Sequence, residues 1–85
     1  MASYSLFIKP SAAKEIEAVP KPDRRRIVSK IMSLSSDPRP PDCEKLSGHD
    51  QYRIRQGNYR ILYEIHDVKL IVVIVKIGHR RDVYR

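Results

Sequence analysis

Arg53, Arg55 and Arg60 fall within an eight-residue stretch, and each alternates with apolar neighbours. Tyr52 and Ile54 interleave the first two, and Tyr59, Ile61, Tyr63 and Ile65 continue the alternation beyond the third. A period of two marks a half-buried strand, so the arginines share one face of a sheet and the aromatic and aliphatic residues share the other. A guanidinium group keeps its proton in proteins, and its planar fork matches phosphate oxygens two at a time. The chemistry open to such a trio is electrostatic: it can hold a phosphate and stabilise charge that develops on it.

The hairpin register sharpens this expectation. Pairing Ile54 with Tyr59 and Tyr52 with Ile61 joins apolar to apolar across a Gln56-Gly57 turn. That register sets Arg53 opposite Arg60 and Arg55 opposite Asn58, and a one-residue slip would move arginines onto the apolar face. Like charges directly opposite one another destabilise a sheet. Folding alone therefore does not account for the arrangement, whereas an anion site does.

A second group follows the last apolar run: Gly78-His79-Arg80-Arg81-Asp82-Val83-Tyr84-Arg85. It combines cations for phosphate, an imidazole that titrates near neutrality and a flat ring for base stacking. His49 and His66 lie in turn segments and read as surface residues. With three scattered histidines and one cysteine, Cys43, no metal site is expected and no cofactor is implied. There is no Gly-rich phosphate loop, no Gly-x-Ser-x-Gly elbow and no His-Glu-x-x-His.

The elements that must position these groups are short. Residues 3–8 read as a first strand ending near Lys9. Pro10 and Ser11 suit a helix start, with Ala12, Ile16 and Val19 on one face, and Pro20 ends that helix. Pro22 opens a second helix, where Asp23 favours the N-terminal dipole and Ile27, Ile31 and Leu34 form a stripe flanked by Val28 and Met32. Arg24, Arg25 and Arg26 oppose that dipole in the first turn. The proline-rich residues 35–41 form a linker. Strands are expected over residues 51–55, 58–65 and 68–77. Residues 70–75, apolar on both phases, should form the central, most buried strand. The expected fold is α+β: a compact β-α-α-β-β-β chain, with a helical hairpin packed on a mainly antiparallel four-stranded sheet.

One domain spanning residues 1–85 fits the length. Hydrophobic residues make up 41% and charged residues 32%, which indicates a globular chain rather than a disordered one. The longest apolar run is six residues, far short of the ~20 that span a bilayer. No signal peptide is evident, and the lone cysteine fits a reducing cytoplasm. The net charge is +7, and residues 51–85 hold eight basic against three acidic side chains. A surplus concentrated there points to a polyanionic partner.

In order, Lys45-Leu46-Ser47-Gly48, Tyr52-Arg53-Ile54-Arg55, Gly57-Asn58-Tyr59-Arg60-Ile61-Leu62-Tyr63 and Ile77-Gly78-His79-Arg80-Arg81-Asp82-Val83-Tyr84 resemble the RelE/ParE toxin superfamily on its RelE side. The resemblance covers nearly the whole chain. It implies a ribosome-dependent mRNA endonuclease, cytoplasmic and encoded beside a neutralising RelB-like antitoxin, with the RelE-like fold reached above. It also implies attack of a ribose 2′-oxygen on the adjacent phosphate, leaving a cyclic phosphate and a free 5′-hydroxyl without a metal. Family basic positions fall on Arg53, Arg55, Arg60 and Arg80, and the terminal tyrosine on Tyr84. Lys45 and Arg81 would contact RNA. Some relatives carry lysine at positions 53 and 55 and arginine at 47, where this chain has Arg53, Arg55 and Ser47. Because arginine cannot serve as a base, proton transfer is expected from His79 as base and Tyr84 as acid. Glu64 shares the face of Arg60 but lies ~13 Å along the strand, and Asp82 is expected to pair with Arg80 or Arg81. The alternatives are a ParE-like inhibitor of DNA gyrase without nuclease activity, or a remnant that only binds RNA or antitoxin. An acidic antitoxin segment is expected across the helical hairpin or the sheet edge.

Overall fold

Proline punctuation shapes the first half of the chain. A computed structural model describes residues 3–46 and 50–79. Strand β1 (Ser5–Ile8) leads into helix α1 (Pro10–Glu17), and helix α2 (Lys21–Ser33) follows with Pro22 in its first turn. Proline fits there because the first turn of a helix has no intrahelical use for its N–H groups. One of the awkward first-turn cations is explained by this hairpin. Arg24 donates from Nε to the Val19 carbonyl at 3.2 Å and from Nη2 to the Glu17 carbonyl at 3.1 Å. It thereby serves the C-terminal end of α1, where a cation is favourable. Arg26 lies 3.9 Å from Asp23, one turn away.

The second half is sheet: β2 (Glu44–Lys45), β3 (Gln51–Gln56), β4 (Tyr59–His66) and β5 (Ile71–His79). The order is β1-β5-β4-β3-β2, with β1 parallel to β5 and the other pairs antiparallel. The α+β architecture matches the expectation, with a fifth strand added by the two-residue β2. Both helices cover one face. Ala12, Ile16, Val19, Ile27, Ile31 and Leu34 are buried against Tyr52, Ile54, Ile61, Tyr63, Ile65, Val72, Ile74 and Ile77.

Two expectations change. β5 is an interior strand, but β4 is the central one, and burial along β5 alternates because helices cover only one side. The β3–β4 register is also offset by two residues from the expected one. Arg55 faces Arg60, Arg53 faces Leu62 and Ile54 faces Ile61, across a Gly57-Asn58 turn. Gly57 has φ +61°, so the chain places its freest residue first in the two-residue turn, as one hairpin class requires. A Gln56-Gly57 turn would have put a Cβ-bearing residue there. A shift of two preserves parity, so the three arginines still share a face.

The proline-rich linker is tied to the sheet by polar contacts. Tyr63, fully buried, donates its hydroxyl to the Pro38 carbonyl at 2.8 Å. Arg39 stacks over the Tyr52 ring at 5.3 Å and grips both Asp67 carboxylate oxygens at 3.1 and 2.8 Å. Tyr4 adds a hydroxyl donor to Asp67 at 2.8 Å. Together these partners hold the Asp67 carboxyl down at about 2, led by the Arg39 contact. A carboxylate whose folded pKa is depressed contributes stability above its unfolded value of ~3.9, and loses it as pH falls toward the folded one. The melting-temperature gap between the native protein and Asp67→Asn should therefore be full at pH 6 and shrink steadily between about pH 4 and 2. Tyr63→Phe should cost about 1–3 kcal/mol in denaturant unfolding, because it strands the buried Pro38 carbonyl.

Candidate functional site

The β3–β4 hairpin carries its arginines on the face the helices leave open. Arg53 and Arg55 alternate with buried Tyr52 and Ile54, and Arg60 precedes buried Ile61. Arg60 is only 7% exposed. Its neighbour across on β5 is Gly78, which has no side chain to compete for the space. Around these residues lies a cleft of about 460 Å³, lined by Arg53, Arg55 and Arg60, by Asp42 and Glu44, and by Gln56 and Gly57 at the turn.

The two carboxylates were not legible as site residues. Strand β2 is two residues long and lacks the alternating run that marks a strand. It nonetheless pairs Glu44 with Arg53 and Lys45 with Tyr52. Glu44 accepts from Arg53 Nη2 at 2.5 Å. Its carboxyl is held below the ordinary range first by that hydrogen bond, then by the charge of Arg53, with Arg55 and Arg60 adding to it. The charge of all three arginines thus converges on Glu44. Asp42 takes a different partner, Lys30 of α2, at 2.9 Å, and that contact lowers its pKa. The only usable signal in the sequence was the i, i+2 spacing of Asp42 and Glu44 just ahead of Lys45-Leu46-Ser47-Gly48.

The structure brings Arg53, Arg55 and Arg60 to one cleft and places two other candidates elsewhere. Lys45 is exposed, opposite Tyr52 and so in register with the helix-covered face. His79 pairs with Tyr59 and meets its ring edge-on, with centroids 5.7 Å apart. Tyr59 packs against the core, and adjacent strand residues point to opposite faces. His79 therefore stands on the other side of the sheet from Arg60, in a hollow it shares with Glu15, Val19 and Lys76. Arg80, Arg81 and Tyr84 lie outside the described residues, as do Ser47 and His49. Among the described residues, no cluster of three or more His, Cys, Asp or Glu side chains could hold a metal ion.

An arginine-walled cleft of this kind can seat one phosphate and balance charge growing on it. The chain is similar to known proteins over most of its length. Residues 6–84 match the family described as the ParE toxin of type II toxin-antitoxin system, parDE. The mRNA interferase toxin RelE of Escherichia coli K12 is 26% identical over 92% of this chain and 84% of its own length. A putative RelE-like toxin protein of Escherichia coli is 27% identical over 95% of this chain and 90% of its own. Among solved structures, the archaeal RelE–RelB complex from Pyrococcus horikoshii superposes with a TM-score of 0.85 at 29% identity, covering 95% of this chain and 99% of that one.

The cleft makes two checkable demands. Gly57→Ala meets open space but forces a side chain into positive φ, so it should cost about 1 kcal/mol in unfolding experiments. Arg55→Ala and Arg60→Ala should each weaken binding of a short oligoribonucleotide about tenfold. Each should also flatten the slope of log affinity against log salt by about 0.7, the value for one lost phosphate contact on a single strand.

Proposed function

This chain belongs to the ParE toxin family of type II toxin-antitoxin systems, within the RelE/ParE superfamily, and from that premise we propose that it is an endoribonuclease cutting mRNA in the decoding site of the ribosome. It is a RelE-like toxin of a toxin-antitoxin system. The observation that carries the nuclease reading is the cleft lined by Arg53, Arg55 and Arg60, whose guanidinium groups suit a phosphate. Support also comes from a relative named as an mRNA interferase across most of both chains.

In the proposed reaction the ribose 2′-oxygen attacks the adjacent phosphorus and the 5′-oxygen leaves. Arg53, Arg55, Arg60 and Arg80 surround the scissile phosphate and stabilise its added charge, and Tyr84 stacks on or orients the neighbouring base. Arg81 holds a flanking phosphate, whereas Lys45, in register with the helix-covered face, takes no part. No metal is required in this scheme, because the nucleophile belongs to the substrate and guanidinium groups supply the positive charge. A protein of this proposed activity would work in the cytoplasm, where ribosomes translate. The proposed partner is an acidic, RelB-like antitoxin, which steering would bring quickly to the basic cleft.

A second reading, to which only the ParE name of the family description points, is a ParE-like inhibitor of DNA gyrase with no nuclease activity. A protein inhibitor has no need of a phosphate clamp, which is why the nuclease ranks first. Expression in cells separates the two: shortened mRNA with halted translation indicates the nuclease, and DNA damage with intact mRNA indicates gyrase. On ribosome-bound mRNA, Arg53→Ala and Arg80→Ala should each lower the single-turnover rate at least ~10²-fold. His79→Gln should leave it near the native rate, since that ring stands on the other face.

A further inference from the structure

A clamp made of arginine leaves the reaction without a base. Among the described residues lining the cleft, only Asp42 and Glu44 can accept a proton near neutral pH. Asp42 is held by Lys30 at 2.9 Å, toward α2. Glu44 stands on a paired strand directly opposite Arg53, with its side chain 65% exposed to the cleft and solvent. We infer that Glu44 is the general base of the proposed cleavage, released from Arg53 by the arriving phosphate to take the proton of the 2′-hydroxyl. The inference rests on the nuclease reading above and deepens it.

The exchange of partners follows from charge. In the unliganded cleft Arg53 donates to Glu44, and Arg55 and Arg60 add to the field that makes this carboxylate a weak base. A phosphate entering among the three guanidinium groups competes for those donors and brings its own negative charge. Both effects favour protonation of Glu44. The base therefore gains strength only when substrate is seated. In the step itself the 2′-O–H proton passes to a Glu44 carboxylate oxygen, and the 2′-oxygen forms its bond to phosphorus. The P–O5′ bond breaks with its electron pair on the 5′-oxygen. That oxygen takes a proton from water, and Glu44 returns its own proton to the resulting hydroxide. The products are a 2′,3′-cyclic phosphate and a 5′-hydroxyl, with no net consumption of water.

The competing explanation is an ion pair on an edge strand that merely steadies Arg53. Single-turnover cleavage of mRNA on programmed ribosomes, with native protein, Glu44→Gln and Glu44→Ala, distinguishes them. Removing a general base should slow the chemical step ~10²–10⁴-fold. The native rate should be nearly flat between about pH 6 and 9, whereas the Glu44→Gln rate should climb about tenfold per pH unit as hydroxide replaces the lost carboxylate. Formate or acetate should restore Glu44→Ala in proportion to its concentration, while chloride at equal ionic strength should not. Melting curves of both variants confirm that the fold is retained. A Glu44→Gln rate equal to or above the native one overturns the inference. So does a slower rate that keeps the flat pH profile and ignores added carboxylate, because that pattern belongs to positioning of Arg53. Native protein that leaves ribosome-bound mRNA intact overturns the nuclease reading itself, a result distinct from either.

Discussion

Arg55 and Arg60 face each other across the hairpin, and the remainder of the site can be understood as the answer to that repulsion. Directly opposed cations weaken a two-stranded pairing. Here the pairing is held by the opposite face, where Tyr52, Ile54, Ile61 and Tyr63 are buried under the helices. Burial of each such side chain contributes on the order of 1.5–3 kcal/mol, against the few tenths to one kcal/mol typical of an unfavourable cross-strand pair. The apolar face wins, and the arginines stay where they are. Glu44 then brings one anion to the same cleft, so the sheet tolerates the cations without neutralising them.

The alternation of arginine with aromatic and aliphatic residues made the shared face legible from sequence, as did the helical stripes of Ile27, Ile31 and Leu34. Parity is robust, since any even shift of register keeps it. The register itself was not legible. Apolar residues recur at every second position on both arms, so two pairings satisfy the pattern equally and the turn decides between them. Positive φ at Gly57 decides it in favour of Gly57-Asn58. Strand β2 was hidden for another reason: two residues cannot display a period. His79 read as a neighbour of the arginines because sequence proximity to Arg80 says nothing about which face a strand residue takes. Its pairing with Tyr59 settles that point.

The fold is shared with a solved RelE–RelB complex, which superposes over nearly its whole length. The cleft itself combines Arg53, Arg55 and Glu44. Lysine at a clamp position can in principle carry a proton as well as a charge, whereas arginine divides those duties and leaves proton transfer to another group. A carboxylate on the strand beside the hairpin, already within the field of all three cations, is placed to receive that duty.

The parallel pairing of β1 with β5 has a consequence for how the molecule comes together. Ser5 meets Ile71, so that contact closes a loop of 66 residues. Among the described residues, the walls of the cleft, by contrast, come from the stretch between Asp42 and Arg60. Closing short loops costs less entropy than closing long ones, and local pairings form earlier as a rule. The described walls of the cleft therefore belong to one local stretch of chain. These walls lie within 19 consecutive residues, and the amino-terminal strand and helices can diverge in sequence so long as they still roof the apolar side and keep Lys30 against Asp42. In such a chain, drift in the roof and constancy in the hairpin are compatible, which lets one scaffold keep its chemistry while exchanging most of its surface.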